Sequence, residues 1–143
     1  LRVSPHFAVL QNIVPEHLDY YDSFAEYVAA KSAITKWQTA EDYLIYCPEF
    51  ETSRELAGHS NATKLLFKIK EASEDKAIVE YTEGVMSYED ESIISGNELP
   101  LLGEHNLYNV APAIIVAKKL GIATTEIAAA LRSFKPLPHR LQP

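Results

Sequence analysis

Cysteine occurs once in the 143 residues, so no disulfide can form within the chain, and no framework of paired thiols or cysteine-rich metal site is available. Cys47 lies in the apolar run Tyr43-Leu-Ile-Tyr-Cys47, where a buried structural thiol and a reducing, cytoplasmic setting are expected. Positive charge is also scarce. The formal net charge is −7 and no Lys/Arg run exceeds Lys118-Lys119, which argues against a phosphate-backbone partner and hence against nucleic-acid binding. No apolar run approaches the roughly 20 residues that span a bilayer, and the start has no basic-then-apolar signal pattern. The five glycines lie far apart, so the phosphate loop Gly-x-x-x-x-Gly-Lys-Ser/Thr is absent from this stretch. Internal repeats and low-complexity segments are absent too.

What is present is a domain-sized chain with 47% hydrophobic residues, enough for a core. Phe7-Ala-Val-Leu10 is a continuous apolar run, as in a strand buried on both faces of a parallel sheet. After a polar turn, Ser23 with Glu26 three residues on forms a capping-box pattern, which predicts a helix from Phe24 to about Lys36. At about 100° per residue, Phe24, Tyr27, Val28, Ile34 and Thr35 make one stripe, with Lys31 in its middle. Tyr43 to Cys47 completes a strand-helix-strand unit, and polar Pro48 to Asn61 reads as a loop.

Alternation then replaces helical spacing. Lys64 to Lys70, Ala77 to Thr82, Val85 to Tyr88 and Ser92 to Ser95 are strand candidates separated by turn residues, predicting a small antiparallel meander. A helix follows with Val110, Ala113, Ile114, Ala117 and Leu120 on its apolar face and Gly121 as its stop. Pro112 is harmless if Asn109 caps this helix and should kink it if the helix begins near Glu104. Thr124 is expected to cap a last helix, with Glu126 in its first turn and Ile127, Leu131 and Phe134 inward, ended by Pro136 and Pro138.

Several side chains carry two readings each. Lys31 either snorkels along apolar surface or, partly buried, has an amine whose neutral form is favoured and can react. Tyr27, one turn earlier, is either a core aromatic or a support for that lysine. His17, past the carboxyl end of a strand where open α/β sheets place ligands, is a backbone-bonded loop histidine or a metal ligand. His105, Asn106 and Asn109 could cap a helix or present amides to a base edge. His139 and Arg140 follow Pro138 in what could equally be a linker.

Four motifs in order, Asn12-Ile-Val-Pro-Glu-His17-Leu-Asp19, Tyr27-Val-Ala-Ala-Lys31, Gly103-Glu-His105-Asn106-Leu-Tyr-Asn109 and Phe134-Lys-Pro-Leu-Pro-His139-Arg140-Leu141, resemble the central domain of the Mur ligases. The resemblance spans Asn12 to Leu141 and implies an α/β fold, part of a mostly parallel sheet flanked by helices with a small antiparallel meander. It places residues 1–135 in the later part of a nucleotide-binding domain and 136–143 at the start of a linker. It further implies a cytoplasmic ATP-dependent amide ligase of peptidoglycan synthesis that uses Mg²⁺, with Lys31 carbamylated by CO₂, His17 beside a metal ion and Tyr27 in support. Asn106 and Asn109 would meet the adenine of ATP with His105 packing alongside, and His139 and Arg140 would contact the nucleotide at a hinge.

Leu137-Pro-His-Arg140 is most like the branch whose substrates are UDP-N-acetylmuramoyl-L-alanine and D-glutamate. Pro136 stands where the family commonly has glycine and Gln142 where it has glutamate, which bears on the hinge. The chain reads as a fragment, and without a phosphate loop or an amino-acid-binding domain it should not turn over ATP alone. The rivals are another Mur-type or folylpolyglutamate-type ligase and a non-catalytic scaffold that retains the fold.

Overall fold

A computed structural model describes residues 3–14, 21–70, 76–100 and 103–135. The chain divides into two compact units, Leu1–Leu66 and Phe67–Pro143.

In the first unit, β1 (Phe7–Leu10), α1 (Phe24–Ser32), β2 (Tyr43–Tyr46) and α2 (Glu51–His59) lead into β3 (Thr63–Lys68). The strands are parallel: β1 pairs with β2 from Phe7 and Tyr43 to Leu10 and Tyr46, and β2 with β3 from Tyr43 and Thr63 to Tyr46 and Leu66. Ala8, Leu10, Leu44, Tyr46, Ala57 and Ala62 form the core, with Ile13, Leu56 and Leu66 against it. Gln38, buried beside them, donates from Nε2 to the carbonyls of Pro5 and Tyr43 at 3.0 Å each, tying the entry of β1 to β2.

Helix α1 begins where the capping pattern predicts, with Ser23 Oγ accepting from the Glu26 N–H at 3.2 Å. The Glu26 carboxylate reaches one residue further back than in the usual box and accepts from the Asp22 N–H. The helix stops at Ser32, short of the expected Lys36. From there the N–H groups of Ala33 through Lys36, and of Gln38, bond three residues back, the tighter 3-10 pattern. Ser32 Oγ donates to the Ala29 carbonyl and Thr35 Oγ1 to the Ser32 carbonyl, so side-chain hydroxyls compete for the acceptors that would extend the helix.

Helix α2 corrects the reading of Pro48 to Asn61 as a loop. Its buried face is carried by small residues, Ser53 and Ala57 fully buried and Leu56 half-buried, with Ser60 at its end. That face has helical spacing but little hydrophobicity. Cys47 is fully buried, and desolvation pushes its thiol up to about 12, as suits a structural cysteine.

In the second unit the last residues of β3 pair in parallel with β4 (Val79–Thr82), Phe67 with Val79 and Lys68 with Glu80. Strands β4, β5 (Val85–Tyr88) and β6 (Glu91–Ser95) then run antiparallel. The expected meander therefore has three antiparallel strands, and β3 enters it in parallel. Both hairpins turn on two residues with positive φ, Glu83-Gly84 and Glu89-Asp90, whose twist matches that of the flanking strands. A 3-10 turn, Gly96–Glu98, precedes α3 (His105–Lys119) and α4 (Thr124–Ser133).

Helix α3 packs on β4 and β5, and α4 on β6. Phe67, Val79, Met86, Ile94, Ile114 and Ile115 are fully buried here. Of the expected face of α3, Val110 and Ile114 are buried and Ala117 half-buried, whereas Ala113 and Leu120 are exposed and Ala111 and Ile115 take their places. The helix starts at His105 and includes Pro112, which is buried and has no N–H to give to the helical ladder. Gly121, at φ +81°, ends α3 as expected: its N–H bonds to the Lys118 carbonyl and that of Ile122 to Ala117, a Schellman arrangement.

In α4 the cap position is Ala123 rather than Thr124, with the Ala123 N–H donating to Glu126. Thr124 instead donates to Glu91 Oε1 at 2.6 Å and accepts from Lys118 Nζ at 2.7 Å. Ile127 is buried as expected and Leu131 half-buried, but Phe134 is 51% exposed.

Candidate functional site

The carboxyl end of β1 opens into a cleft of about 260 Å³ lined by Val9 to Ile13 of the strand and its exit, and by Tyr27, Lys31 and Ile34 of α1 and the turn after it. Parallel pairing puts the strand end here, and the crossover into α1 brings a helix face back over it, which is how open α/β sheets form ligand sites. Lys31 and Tyr27 share that face. The lysine Nζ stands 5.2 Å from the centroid of the Tyr27 ring, within cation–π range.

Tyr27 is 7% exposed, with its ring edge-to-face against Tyr21 at 5.3 Å. It is thus a core aromatic, with Lys31 Nζ over its face. Lys31 itself is exposed, which agrees with the reading in which it lies along apolar surface and sets aside that of a partly buried amine. The apolar stripe that seemed to enclose it counted Ile34 and Thr35 at helical angles, but both lie beyond Ser32, in the tighter turns. What distinguishes Lys31 is that it lines this cleft together with Gln11 and Asn12, with its ammonium over an aromatic face. Gln11 and Asn12 line the cleft without having been singled out by the sequence. Only their position just past an apolar strand could have flagged them.

In the second unit, the first turn of α3 carries His105, Asn106 and Asn109. None caps the helix: the cap position is Glu104, without a side-chain bond. The capping reading of the asparagines is overturned, and Asn106 and Asn109, three apart, fall on neighbouring positions of one face. Asn106 is half-buried and donates from Nδ2 to His105 Nε2 at 3.2 Å, which orients both and fits an imidazole protonated on Nδ1. Gly103, at φ +93°, holds the entry to this turn. The positive φ strains any side chain there, and a Cβ, 2.7 Å from the His105 ring, would also push that ring aside.

His17, His139 and Arg140 lie outside the described residues, as does the junction at residue 136. Among the described residues no group of three His, Cys, Asp or Glu side chains could hold a metal ion, and no helix is long and apolar enough to cross a membrane.

The Mur ligase middle domain family matches residues 1–117. The chain belongs to this family. Among the Mur ligases it is 38% identical over 141 residues to the UDP-N-acetylmuramoylalanine–D-glutamate ligase of Streptococcus equi subsp. zooepidemicus, covering 99% of this chain and 30% of that protein. The enzyme of the same name from Streptococcus pyogenes serotype M5 is 38% identical over 138 residues, again covering 30% of its length. The fold is that of MurF from Acinetobacter baumannii, with a TM-score of 0.73 over 97% of this chain, 31% of that one, and 24% identity. The chain thus spans under a third of the length of these Mur ligases, and the mixed α/β architecture is theirs.

Proposed function

We propose that this chain is the later part of the nucleotide-binding middle domain of a cytoplasmic ligase that joins D-glutamate to UDP-N-acetylmuramoyl-L-alanine with conversion of ATP to ADP. Residues 1–135 would belong to that domain and 136–143 to the linker after it. The observation that carries this reading is the 38% identity along 99% of the chain to a relative of that name. In the reaction, ATP phosphorylates the carboxylate of the nucleotide sugar, and the amine of D-glutamate then displaces phosphate.

Lys31 supports this chemistry as a carbamate. Its neutral Nζ attacks the carbon of CO₂ and releases a proton, converting the cation at the cleft mouth into an anionic oxygen donor. Exposure makes the amine accessible to CO₂, and the Tyr27 face limits where it can swing. Gln11 and Asn12 add amide oxygens, hard donors of the kind Mg²⁺ takes directly or through water. His17 and the Lys31 carbamate would hold Mg²⁺, which when bound neutralises phosphate charge. Asn106 and Asn109 would read the adenine edge, with His105 holding Asn106 in place. His139 and Arg140 would contact the nucleotide at the hinge.

The test is ADP release by the full-length protein. The reading requires release that depends on UDP-N-acetylmuramoyl-L-alanine and D-glutamate together. Release driven instead by another amino acid or by a folate would assign a different amide ligase. An inactive protein with a degraded phosphate loop upstream would assign a scaffold.

A further inference from the structure

Ser53 has no solvent exposure, yet it sits on a helix whose other inward residues are apolar or small. A buried hydroxyl must find a partner, and Ser53 Oγ donates to the backbone carbonyl of Gln11 at 2.6 Å across 42 residues of sequence. The ladder between β1 and β2 ends at Leu10 and Tyr46, so Gln11 is the first residue past the paired register. Alanine would pack beside Ala57 as well as serine does, so the hydroxyl is accounted for by this bond rather than by filling space.

The Gln11 carbonyl and the Asn12 N–H belong to one planar trans peptide and point in opposite directions. Drawing the carbonyl toward α2 therefore fixes the Asn12 N–H away from it, and fixes the start of the wall formed by Asn12 and Ile13 on the cleft that Lys31 also lines. The chain continues from this wall to His17. We propose that Ser53 is a positioning residue: its bond to Gln11 sets the peptide plane at the exit of β1 and with it the cleft wall beside Lys31. The kinetic consequence rests on the proposed ligase function; the structural one does not.

The test compares Ser53→Ala and Ser53→Thr in the full-length protein, by amide hydrogen exchange and by steady-state kinetics. Alanine should speed exchange at Asn12 and Ile13 about tenfold while Leu44 and Ile45 of β2 keep their protection. With ATP, UDP-N-acetylmuramoyl-L-alanine and D-glutamate, kcat should fall about tenfold with the KM for ATP within about twofold, and threonine should restore both exchange and kcat. Unchanged exchange at the β1 exit overturns the proposal, as do loosening spread equally through β2, a local change that leaves kcat intact, or a threonine variant that folds but behaves like alanine. If the unaltered protein forms no ADP with these substrates, the functional reading fails, and the exchange pattern alone decides for or against Ser53.

Discussion

Lys31 stands with its ammonium over the Tyr27 ring, and Asn106 bonds to the His105 imidazole beside it. For Lys31, the carbamate role predicts that Lys31→Ala lowers kcat of the full-length ligase by about 100-fold, the scale of losing a charged transition-state contact. Bicarbonate or a short carboxylic acid should recover part of that loss, because a carboxylate can occupy the vacated position. An alanine variant of normal activity would remove the role. For the asparagines, Asn106→Ala with Asn109→Ala should raise the KM for ATP about tenfold or more, from loss of amide bonds to the base worth roughly 1–3 kcal/mol. The KM for the nucleotide sugar should stay near its starting value. Equal rises in both would indicate a folding defect at the first turn of α3 instead.

At the scale of elements, α3, α4 and β6 meet through Lys118, Glu91 and Thr124. Lys118 Nζ lies 2.7 Å from Glu91 Oε2 and from Thr124 Oγ1, and over the Tyr88 ring at 5.4 Å. The hydrogen bond from Lys118, then that from Thr124, holds the Glu91 carboxyl below its ordinary value of 4.5. A carboxyl depressed in the folded state adds stability above its unfolded pKa and loses it as pH falls through the folded one. Glu91→Gln should therefore lower the melting temperature at pH 7, by a gap that narrows below about pH 4.5. It should shrink with added salt as well, since Glu91 is solvent-exposed. A gap independent of pH would mean that packing, not charge, is what the substitution disturbs.

Strands were the legible elements of this chain. Phe7 to Leu10 and Val85 to Tyr88 have the bounds their apolar runs predict, because burial on a sheet leaves a period that turn residues punctuate sharply. Helix α2 was illegible because Ser53 and Ala57 make a close-packed face without making a hydrophobic one. The face of α3 was misplaced by about one residue, since Ala111 and Ile115 are as apolar as the residues chosen, and only packing on β4 and β5 separates them. Within the site, Lys31 and Tyr27 could be paired by spacing alone. Ser53 could not, since its partner is a backbone carbonyl 42 residues away that no periodicity marks.

For the molecule as a whole, two features bear on how this 143-residue chain behaves by itself. Its sequence holds no phosphate loop, and the two asparagines and one arginine proposed to meet the nucleotide would not replace that loop's row of backbone donors and its lysine. Among the described residues β1 pairs with β2 alone, and none of them pairs with its other edge. Val3 is 72% exposed, Trp37 44% and Ile34 39%, giving the same unit apolar surface that water meets directly. A strand paired on one side, with apolar neighbours, is a template for another copy. The 143-residue chain should therefore bind ATP-Mg²⁺ too weakly for calorimetry at micromolar concentrations, and light scattering should show a mass that rises with concentration. Val9→Lys, on the outermost strand at a half-buried position, should reduce the association by adding charge to that strand. Micromolar ATP affinity in a strictly monomeric chain would place both the nucleotide contacts and the protection of the β1 edge elsewhere.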